Sequence, residues 1–277
     1  MGSVGQIHAV QGNVRFPDSI ARALEGADGV VNLVGILGKS GAQTFDTIHV
    51  AGARTVARAA REVGADHFVQ VSAIGASPSS AGQYGRTKAQ GEAAVLEAFP
   101  EAIILRPSLI FGPEDSLFNR FAAMARAAPV LPLVGGRTRF QPVYVGDVAA
   151  AIANICEGAG KPGAIYELGG PEVLTFRALL DRVQEHAGRE RGYLPVPFWL
   201  AKLVGALTSL PLVRRVQPIT VDQVRMLQVD NVVSEPAAKE GRTLQGLGIN
   251  GPHAIDTIVP GYLESYRPKG QYSHYRG

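Results

Sequence analysis

Apolar runs of strand length alternate with helix-length segments through the first two thirds of this chain of 277 residues. Four runs have the length and apolar content of buried strands, at residues 7–11, 29–35, 67–72 and 102–107. Three segments between or beside them favour helix, at residues 19–24, 45–63 and 84–99. A chain that passes from strand through helix to the next strand places its strands parallel. The pattern therefore predicts an α/β protein built on a parallel sheet.

The sequence changes character after Gly170, where strand-like runs give way to helix-forming and proline-broken segments. We predict that residues 1–170 form the sheet domain and that residues 171–277 form a smaller, mainly helical region with a tail. The tail, residues 266–277, contains too few apolar residues to fold alone. We expect it to be mobile or bound to a partner.

Residues 194–213 form the most apolar stretch of the C-terminal region, although Lys202, Thr208 and three prolines interrupt it. Its apolar residues would cover most of one helical face. Three alternatives remain open for that face: packing on the protein itself, on a partner, or on a membrane surface.

Charge and cysteine content narrow the range of functions. The formal net charge is +3, and no basic run with interleaved aromatic residues predicts nucleic-acid binding. A single cysteine, Cys156, allows no internal disulfide and fits a reducing compartment. Its apolar surroundings, residues 150–156, predict that it is buried. We see no signal peptide and no apolar run of the roughly 18 residues that span a bilayer, so we expect a cytoplasmic protein.

Tyr84 and Lys88 are four residues apart, and Ser72 precedes Tyr84 by twelve residues at the end of a predicted strand. Positions i and i+4 share one helix face, so the phenol and the ammonium can be directed at the same point. A nearby cation favours the phenolate and is expected to lower the tyrosine pKa from about 10. The Ser72 hydroxyl could hydrogen-bond the same substrate oxygen. These three residues are the candidate catalytic groups.

The order of motifs along the chain resembles the extended and atypical short-chain dehydrogenase/reductases. The motifs are Val30-Val-Asn-Leu-Val-Gly35, Ser72, Tyr84-x-x-x-Lys88, Arg106-Pro-Ser-Leu-Ile-Phe-Gly112 and Gln141-Pro-Val-Tyr-Val-Gly-Asp147. Within that superfamily, the runs at residues 99–115, 118–121 and 141–145 are most similar to the nucleotide-binding accessory subunit of respiratory complex I and its bacterial relatives. The likeness extends from about Gly5 to Gly170.

The resemblance implies a Rossmann-like, doubly wound parallel sheet, incomplete at the N-terminus, that binds NAD(H) or NADP(H). It implies catalytic roles for Ser72, Tyr84 and Lys88, with Lys88 also reaching the nicotinamide ribose. The implied cofactor-binding residues are Asn13, Val14, Val34, Gly35, Ser72, Tyr84, Lys88, Pro107, Ser108 and Leu109. Asn13 and Val14 would lie beside the adenine, and residues 107–109 would flank the nicotinamide. No metal site is implied.

Two further positions follow from the same resemblance. Asp147 is expected to cap the helix that follows its strand. His49 occupies a position where many relatives have asparagine, and its imidazole can replace part of that hydrogen bonding.

The family pattern begins with a strand and a G-x-x-G-x-x-G loop that holds the pyrophosphate at a helix N-terminus. This chain begins at about the third strand of that pattern. We interpret the spacing of Gly35, Gly38 and Gly41 as a coincidence, because a loop and not a helix follows it. Loss of the loop removes several charge-assisted hydrogen bonds of roughly 1.5–3 kcal/mol each, so we expect weakened nucleotide affinity. Loss of the first two strands would expose an apolar strand edge.

Three hypotheses follow. The first is an NAD(P)H-binding accessory or assembly subunit of complex I, whose partners are NADH:quinone oxidoreductase subunits. It would lie in the cytoplasm, peripheral on the inner face of the cytoplasmic membrane, or on the matrix side in a mitochondrion. The second is an active NAD(P)-dependent oxidoreductase, epimerase or dehydratase that acts on a small carbonyl or nucleotide-sugar substrate. The third is a degenerate Rossmann remnant with packing roles only.

Overall fold

The computed structural model describes residues 6–207 and 219–268. Its longer strands are β1 (Gly29–Asn32), β2 (His67–Val71), β3 (Ile103–Pro107), β5 (Val130–Leu133), β8 (Ile165–Leu168) and β10 (Gly192–Pro195). Two-residue strands are β4 (Ile110–Phe111), β6 (Arg139–Phe140), β7 (Val143–Tyr144) and β9 (Leu174–Thr175). The helices are α1 (Pro17–Ala23), α2 (Ala53–Glu62), α3 (Gln83–Ala98), α4 (Ser116–Ala127), α5 (Val145–Cys156), α6 (Phe176–His186), α7 (Phe198–Leu207), α8 (Val221–Met226), α9 (Glu235–Lys239) and α10 (Ile255–Leu263). A π-helical segment, Asp46–Gly52, leads into α2, and 3-10 turns cover Gln245–Leu247 and Glu264–Tyr266.

The main sheet has four parallel strands in the order β1-β2-β3-β8. Its strands are rich in Val, Ile, Leu and aromatic residues, as is usual for a parallel sheet covered on both faces. Consecutive residues of a strand point to opposite faces of the sheet and pack in different hydrophobic cores. Phe68 and Ile104 pack with α1, α2 and α3, whereas Val69 and Leu105 pack with α5. The fold is therefore a Rossmann-like, doubly wound α/β fold, as the sequence predicted.

A second core joins the part of the chain after β3 to the C-terminal region. Phe111 and Phe118 are fully buried against Leu180 of α6 and Val259 of α10. The short pairings β4–β7, β6–β9 and β5–β10 surround this core. Helices provide most of the regular structure after residue 170, which confirms the predicted mainly helical character of that region.

The strand predicted at residues 7–11 is wrong. Residues 7–13 have no regular structure, and Ile7 and Val10 are 71% and 54% exposed. A strand requires a neighbour for its backbone hydrogen bonds. Within the described part of the chain, β1 is the last strand on its side of the sheet, and residues 7–11 do not pair with it. The strand predicted at 29–35 also ends earlier, at Asn32.

Two predictions on α5 are also wrong. Cys156 is exposed, because the adjacent Ile155 takes the buried face at the end of the helix. Asp147 does not cap α5, whose N-cap residue is Tyr144 and has no side-chain cap. The buried Asp147 carboxylate instead accepts hydrogen bonds from the backbone N–H and the Nδ1 of His253, both at 2.7 Å. It therefore fixes the start of α10 to α5.

Parts of two further predicted segments lie outside the described residues. These parts are residues 208–213 of the apolar stretch and residues 269–277 of the tail.

Candidate functional site

The candidate site lies at the carboxyl ends of β1, β2 and β3, the edge at which parallel α/β sheets bind their ligands. Ser72 immediately follows β2, and its backbone N–H donates to the Leu105 carbonyl at 2.7 Å. Ile74 N–H donates to the Pro107 carbonyl at 3.0 Å. These bonds continue the pairing of β2 and β3 beyond the regular strands, so Ser72 is held on a rigid part of the scaffold.

Lys88 projects from α3 to the same edge. Its side chain is buried, and Nζ donates to the Val71 carbonyl at 3.2 Å, directly before Ser72. The same Nζ lies 5.9 Å from the centre of the Tyr84 ring. Burial lowers the Lys88 pKa to about 8, an effect that nearby Glu92 partly opposes. Lys88 therefore lies between the end of β2, where Ser72 follows Val71, and the Tyr84 ring.

The Ser72 hydroxyl is buried and has no hydrogen-bond partner among the described residues. A buried hydroxyl without a partner is unusual, because most such groups are satisfied in folded proteins. The backbone at Gly35 lies near Lys88 and His49. A Cβ at Gly35 would come within 3.2 Å of Lys88 Nζ and 3.8 Å of His49 Nε2. A side chain at position 35 would therefore crowd the Lys88 amine, and glycine lets the backbone lie close to it.

Tyr84 differs from the prediction in its acidity. It packs edge-on against two rings, His49 at 5.4 Å and Phe45 at 6.2 Å between centroids. Burial raises the pKa of Tyr84 to about 12. The predicted lowering by Lys88 is wrong, because desolvation of the phenolate dominates. At neutral pH Tyr84 is a phenol, which can donate a proton.

His49 links the loop after β1 to α3. Its Nε2 accepts the Ile36 backbone N–H at 3.1 Å, and its Nδ1 lies 3.1 Å from Thr87 Oγ1. Burial, followed by the positive charge of Lys88, lowers the His49 pKa to about 4. The neutral ring therefore carries its proton on Nδ1 and donates to Thr87. This network fixes the backbone next to Gly35, the kind of hydrogen bonding that the sequence assigned to this position.

The residues expected beside the adenine lie before α1. Asn13 Oδ1 accepts the Arg15 N–H at 3.1 Å and forms a tight local turn. Val14 is buried against Gly52, where a Cβ would come within 2.8 Å of Val14 Cγ2. Val34 is 43% exposed beyond the end of β1, with its N–H donating to Asn32 Oδ1.

Pro107 ends β3, and Ser108 and Leu109 follow it. Ser108 is buried, and its hydroxyl lies 2.6 Å from Asn231 Oδ1 and 2.8 Å from the Asn231 carbonyl. Leu109 packs in the core that contains Phe111. Asn231 also donates through Nδ2 to the Ile74 carbonyl at 3.2 Å. The sequence reasoning missed Asn231, since no local signal places it 123 residues away from Ser108 in the chain.

Asp222 is a second residue that the sequence reasoning missed. Helix α3 begins after Gly82, which has no side chain to cap it. The Asp222 carboxylate, from α8, accepts the N–H of Gln83 at 2.6 Å and of Tyr84 at 2.8 Å. These are two of the N–H groups that a helix N-terminus leaves unpaired. A residue from the C-terminal region therefore caps the helix that carries Tyr84 and Lys88.

An ion pair attaches the other half of α3 to the sheet. Arg106 on β3 donates to both carboxylate oxygens of Glu92, at 2.9 Å and 2.6 Å. The Glu92 side chain is only 5% exposed. Glu167 on β8 lies 3.8 Å from the same guanidinium. The Arg106 pKa is raised above its usual value by the hydrogen bond to Glu92. Glu92 was not singled out from the sequence.

These features fit one half of a dinucleotide, the nicotinamide ribose and its ring. The unpartnered Ser72 hydroxyl, the buried Lys88 amine and the backbone at Gly35 supply hydrogen-bonding groups at this end of the sheet. The features do not supply a phosphate loop in the region of Gly35, Gly38 and Gly41. The next helical segment begins at Asp46 with that carboxylate in its first turn. A carboxylate at a helix N-terminus disfavours a bound pyrophosphate.

Comparison with known proteins identifies a matching family model, similar curated proteins and solved structures with the same fold. The model of the NAD dependent epimerase/dehydratase family matches residues 2–169. Among curated proteins, the chain is 35% identical to the mitochondrial "NADH dehydrogenase [ubiquinone] 1 alpha subcomplex subunit 9" of Arabidopsis thaliana, over 98% of this chain and 68% of that protein. It is 29% identical to the mitochondrial "NADH-ubiquinone oxidoreductase 40 kDa subunit" of Neurospora crassa, over 98% of this chain and 70% of that protein. A nucleoside-diphosphate-sugar epimerase from Staphylococcus aureus shares the fold, with a TM-score of 0.68 at 15% identity over 91% of this chain and 82% of that one.

Proposed function

We propose that this chain, which belongs to the NAD dependent epimerase/dehydratase family, binds NAD(H) or NADP(H) and acts as an accessory or assembly subunit of respiratory complex I. The nucleotide part depends on one observation above all. The Ser72 hydroxyl is buried without a partner near Lys88 and the backbone at Gly35. The assembly part is supported by similarity to two complex I subunits along nearly the whole chain.

The residues divide the work of holding the nucleotide. Lys88 would donate to the ribose, and its pKa of about 8 keeps it mostly charged at neutral pH. Gly35 would let the nucleotide approach the backbone that His49 fixes through Ile36. Residues 107–109 would flank the nicotinamide, and Asn13 and Val14 would lie beside the adenine. When bound, the nicotinamide supplies or accepts a hydride.

We expect the affinity of this polypeptide for the nucleotide to be weak. The connection from β1 to the helical segment at Asp46 contains Gly35, Gly38 and Gly41, but that segment begins with a carboxylate, so the pyrophosphate lacks its usual ring of N–H donors there. Titration of the purified protein with NADH and with NADPH, followed by nucleotide fluorescence, tests this expectation and the choice of cofactor together. Micromolar binding would contradict the expected weakness. Absence of binding up to millimolar nucleotide would contradict the proposed cofactor.

The proposed assembly places the protein beside a membrane. No helix in the described part of the chain is long and apolar enough to cross a bilayer. We therefore propose peripheral attachment, on the cytoplasmic face in a bacterium or the matrix face in a mitochondrion. Solubilisation of membranes in mild detergent, followed by affinity purification of this chain, should recover NADH:quinone oxidoreductase subunits. Recovery of the chain without them would refute the assembly role.

A second candidate function is oxidoreductase, epimerase or dehydratase activity on a small carbonyl or nucleotide-sugar substrate. The unpartnered Ser72 hydroxyl favours it, because that hydroxyl is free to orient a substrate oxygen. Tyr84, protonated at neutral pH, would donate its proton to that oxygen. Lys88 would keep its position next to the Tyr84 ring and hold the ribose.

Tyr84→Phe separates the two candidate functions. If the protein is an enzyme, this variant should lose turnover while its nucleotide affinity stays within about twofold, since removing a general acid costs roughly 10²–10⁴ in rate. Tyr193→Phe is not a suitable control, because Tyr193 is half-buried and its hydroxyl donates a hydrogen bond to Asp181. Val173→Ala, at a half-exposed position, serves instead. Unchanged turnover in Tyr84→Phe would remove this mechanism.

A further inference from the structure

Helix α7 has its large apolar side chains on the outside. Trp199, Leu203 and Leu207 are 68%, 49% and 55% exposed. On the inner side are small residues, of which Ala201 is only 2% exposed and Gly205 is buried. A surface helix usually has the opposite arrangement, with large apolar residues toward the core.

The inner side of α7 cannot hold larger residues, because the backbone before α8 lies directly against it. A Cβ at Gly205 would come within 2.9 Å of the Val221 nitrogen and 3.2 Å of the Ile219 carbonyl oxygen. Close packing against residues 219–221 therefore sets which side of α7 faces inward.

The exposed face of α7 is a continuous stripe, which we call the α7 ridge: Trp199, Leu200, Leu203, Val204 and Leu207. Positions i, i+1, i+4, i+5 and i+8 fall on one side of a helix. Single exposed apolar residues are ordinary, whereas a contiguous group of this kind marks a site of interaction with a partner or a membrane.

Lys202 is the only charged residue of α7, and the sequence from residue 191 to residue 221 contains no Asp or Glu. An apolar helix face that carries a cation and no acidic residue is complementary to anionic lipid, in which the apolar groups enter the headgroup region and the cation meets the phosphates. An indole is especially suited to that boundary.

We propose that the α7 ridge lies flat on an anionic phospholipid bilayer. Ten residues of helix measure about 15 Å, half of a hydrocarbon core, so α7 can lie in the interface but cannot cross it. The α7 ridge would then be the surface by which the protein attaches to the membrane, and anionic phospholipid its ligand. This proposal rests on the proposed function only in placing the protein at a membrane.

Trp199 makes the test site-specific, because it is the one tryptophan of the chain. The purified protein is mixed with vesicles of phosphatidylcholine alone or with about a third phosphatidylglycerol, and tryptophan emission is recorded. We expect a blue shift with the anionic vesicles, quenching when the lipid chains carry bromine, and partition at least about tenfold stronger than on neutral vesicles.

A charge on the ridge should abolish the interaction. Leu203→Glu is expected to lower the partition about tenfold or more, since it removes an apolar side chain and adds an anion. Val173→Glu is the matched control, at an apolar position that is 50% exposed outside α7, and should bind as the unaltered protein does. Circular dichroism of both variants checks that they fold. Quenching of Trp199 by brominated lipid is measured on the unaltered protein, so it tests the proposal even if a variant fails to fold.

Each other outcome overturns the proposal. No blue shift on either vesicle, or equal partition on both, would show that anionic lipid is not the occupant. Concentration-dependent dimers that Leu203→Glu dissolves would show that a second copy covers the ridge. The vesicle assay contains neither nucleotide nor complex I subunits, so its failure would leave the proposed function standing. Conversely, a failed copurification with complex I subunits would not contradict lipid binding by the α7 ridge.

Discussion

Replacement of Asp222 should loosen the start of α3, although the two are far apart in the sequence. The Asp222 carboxylate accepts the Gln83 and Tyr84 N–H groups at 2.6 Å and 2.8 Å, from 139 and 138 residues away. In Asp222→Ala both N–H groups lose their acceptor. In Asp222→Asn one amide oxygen remains and the charge is lost. Asp222→Ala should therefore be the more damaging of the two variants.

The magnitude follows from the two bonds. A hydrogen bond to a charged group contributes about 1.5–3 kcal/mol, and loss of a helix cap costs about 0.5–2 kcal/mol. Asp222 is half-buried, so water can replace part of what is lost. We therefore expect Asp222→Ala to lower the free energy of unfolding by about 2–3 kcal/mol and Asp222→Asn by about 1–2 kcal/mol.

Urea denaturation followed by circular dichroism measures the loss, and amide hydrogen exchange at residues 83–86 locates it. Asp18→Asn is the control, since it removes a first-turn carboxylate that makes no side-chain cap to α1 and should cost at most about 0.5 kcal/mol. Gly82→Ser in the Asp222→Ala background should restore about 1 kcal/mol, because Gly82 is the N-cap of α3 with an ordinary extended backbone, φ −86°.

Two results would refute this reasoning. The first is an Asp222→Ala loss no larger than that of Asp18→Asn. The second is a large loss that Gly82→Ser does not reduce, since Asp222 also lies in the first turn of α8 and could act there alone. Rescue by a serine at α3 distinguishes the two helices.

Three other perturbations follow from the site and its scaffold. The His49 pKa of about 4 lies below its usual 6.5, so the unfolded chain binds more protons than the folded protein between these pH values. The free energy of unfolding should therefore fall by up to about 3 kcal/mol from pH 7 to pH 4. Urea denaturation at several pH values should show a smaller fall for His49→Asn. Arg106→Met should lower the free energy of unfolding by about 3–5 kcal/mol, because it leaves the buried Glu92 carboxylate unpaired. Arg61→Met, at an exposed ion pair, should lower it by about 0–1 kcal/mol. Equal losses in the two variants would contradict the stabilising role of the Arg106–Glu92 pair. Cys156 should react with a thiol reagent in the folded protein, and reaction only after unfolding would show that it is buried.

The catalytic candidates could be found from the sequence because their geometry is mostly local. The spacing of Tyr84 and Lys88 fixes them on one side of any helix, and the apolar run before Ser72 fixes its place at the end of a strand. The parallel sheet could also be predicted from the order of strands and helices, because the spacing of apolar residues that defines each element is a local property of the chain. His49 could also be located, by its place in the resemblance.

Acidity was not predictable in this way. The cation near Tyr84 suggested a lower pKa, but the ring is packed against Phe45 and His49, and burial raises its pKa. The balance between a charge and desolvation depends on how many groups surround the side chain, which only the packed structure determines. The exposure of Cys156 and the role of Asp147 depended in the same way on the final turn of one helix and on a distant histidine.

The sequence by itself therefore determined the alternation of strands and helices and the residues that meet at the end of β2. Only the tertiary structure decided that Asp222 caps α3, that Asn231 holds Ser108 and that the apolar side of α7 faces outward. The physical reason is the range of each interaction. Helical and strand periods act over a few residues, whereas a capping carboxylate or a buried face depends on which distant segments the fold brings into contact.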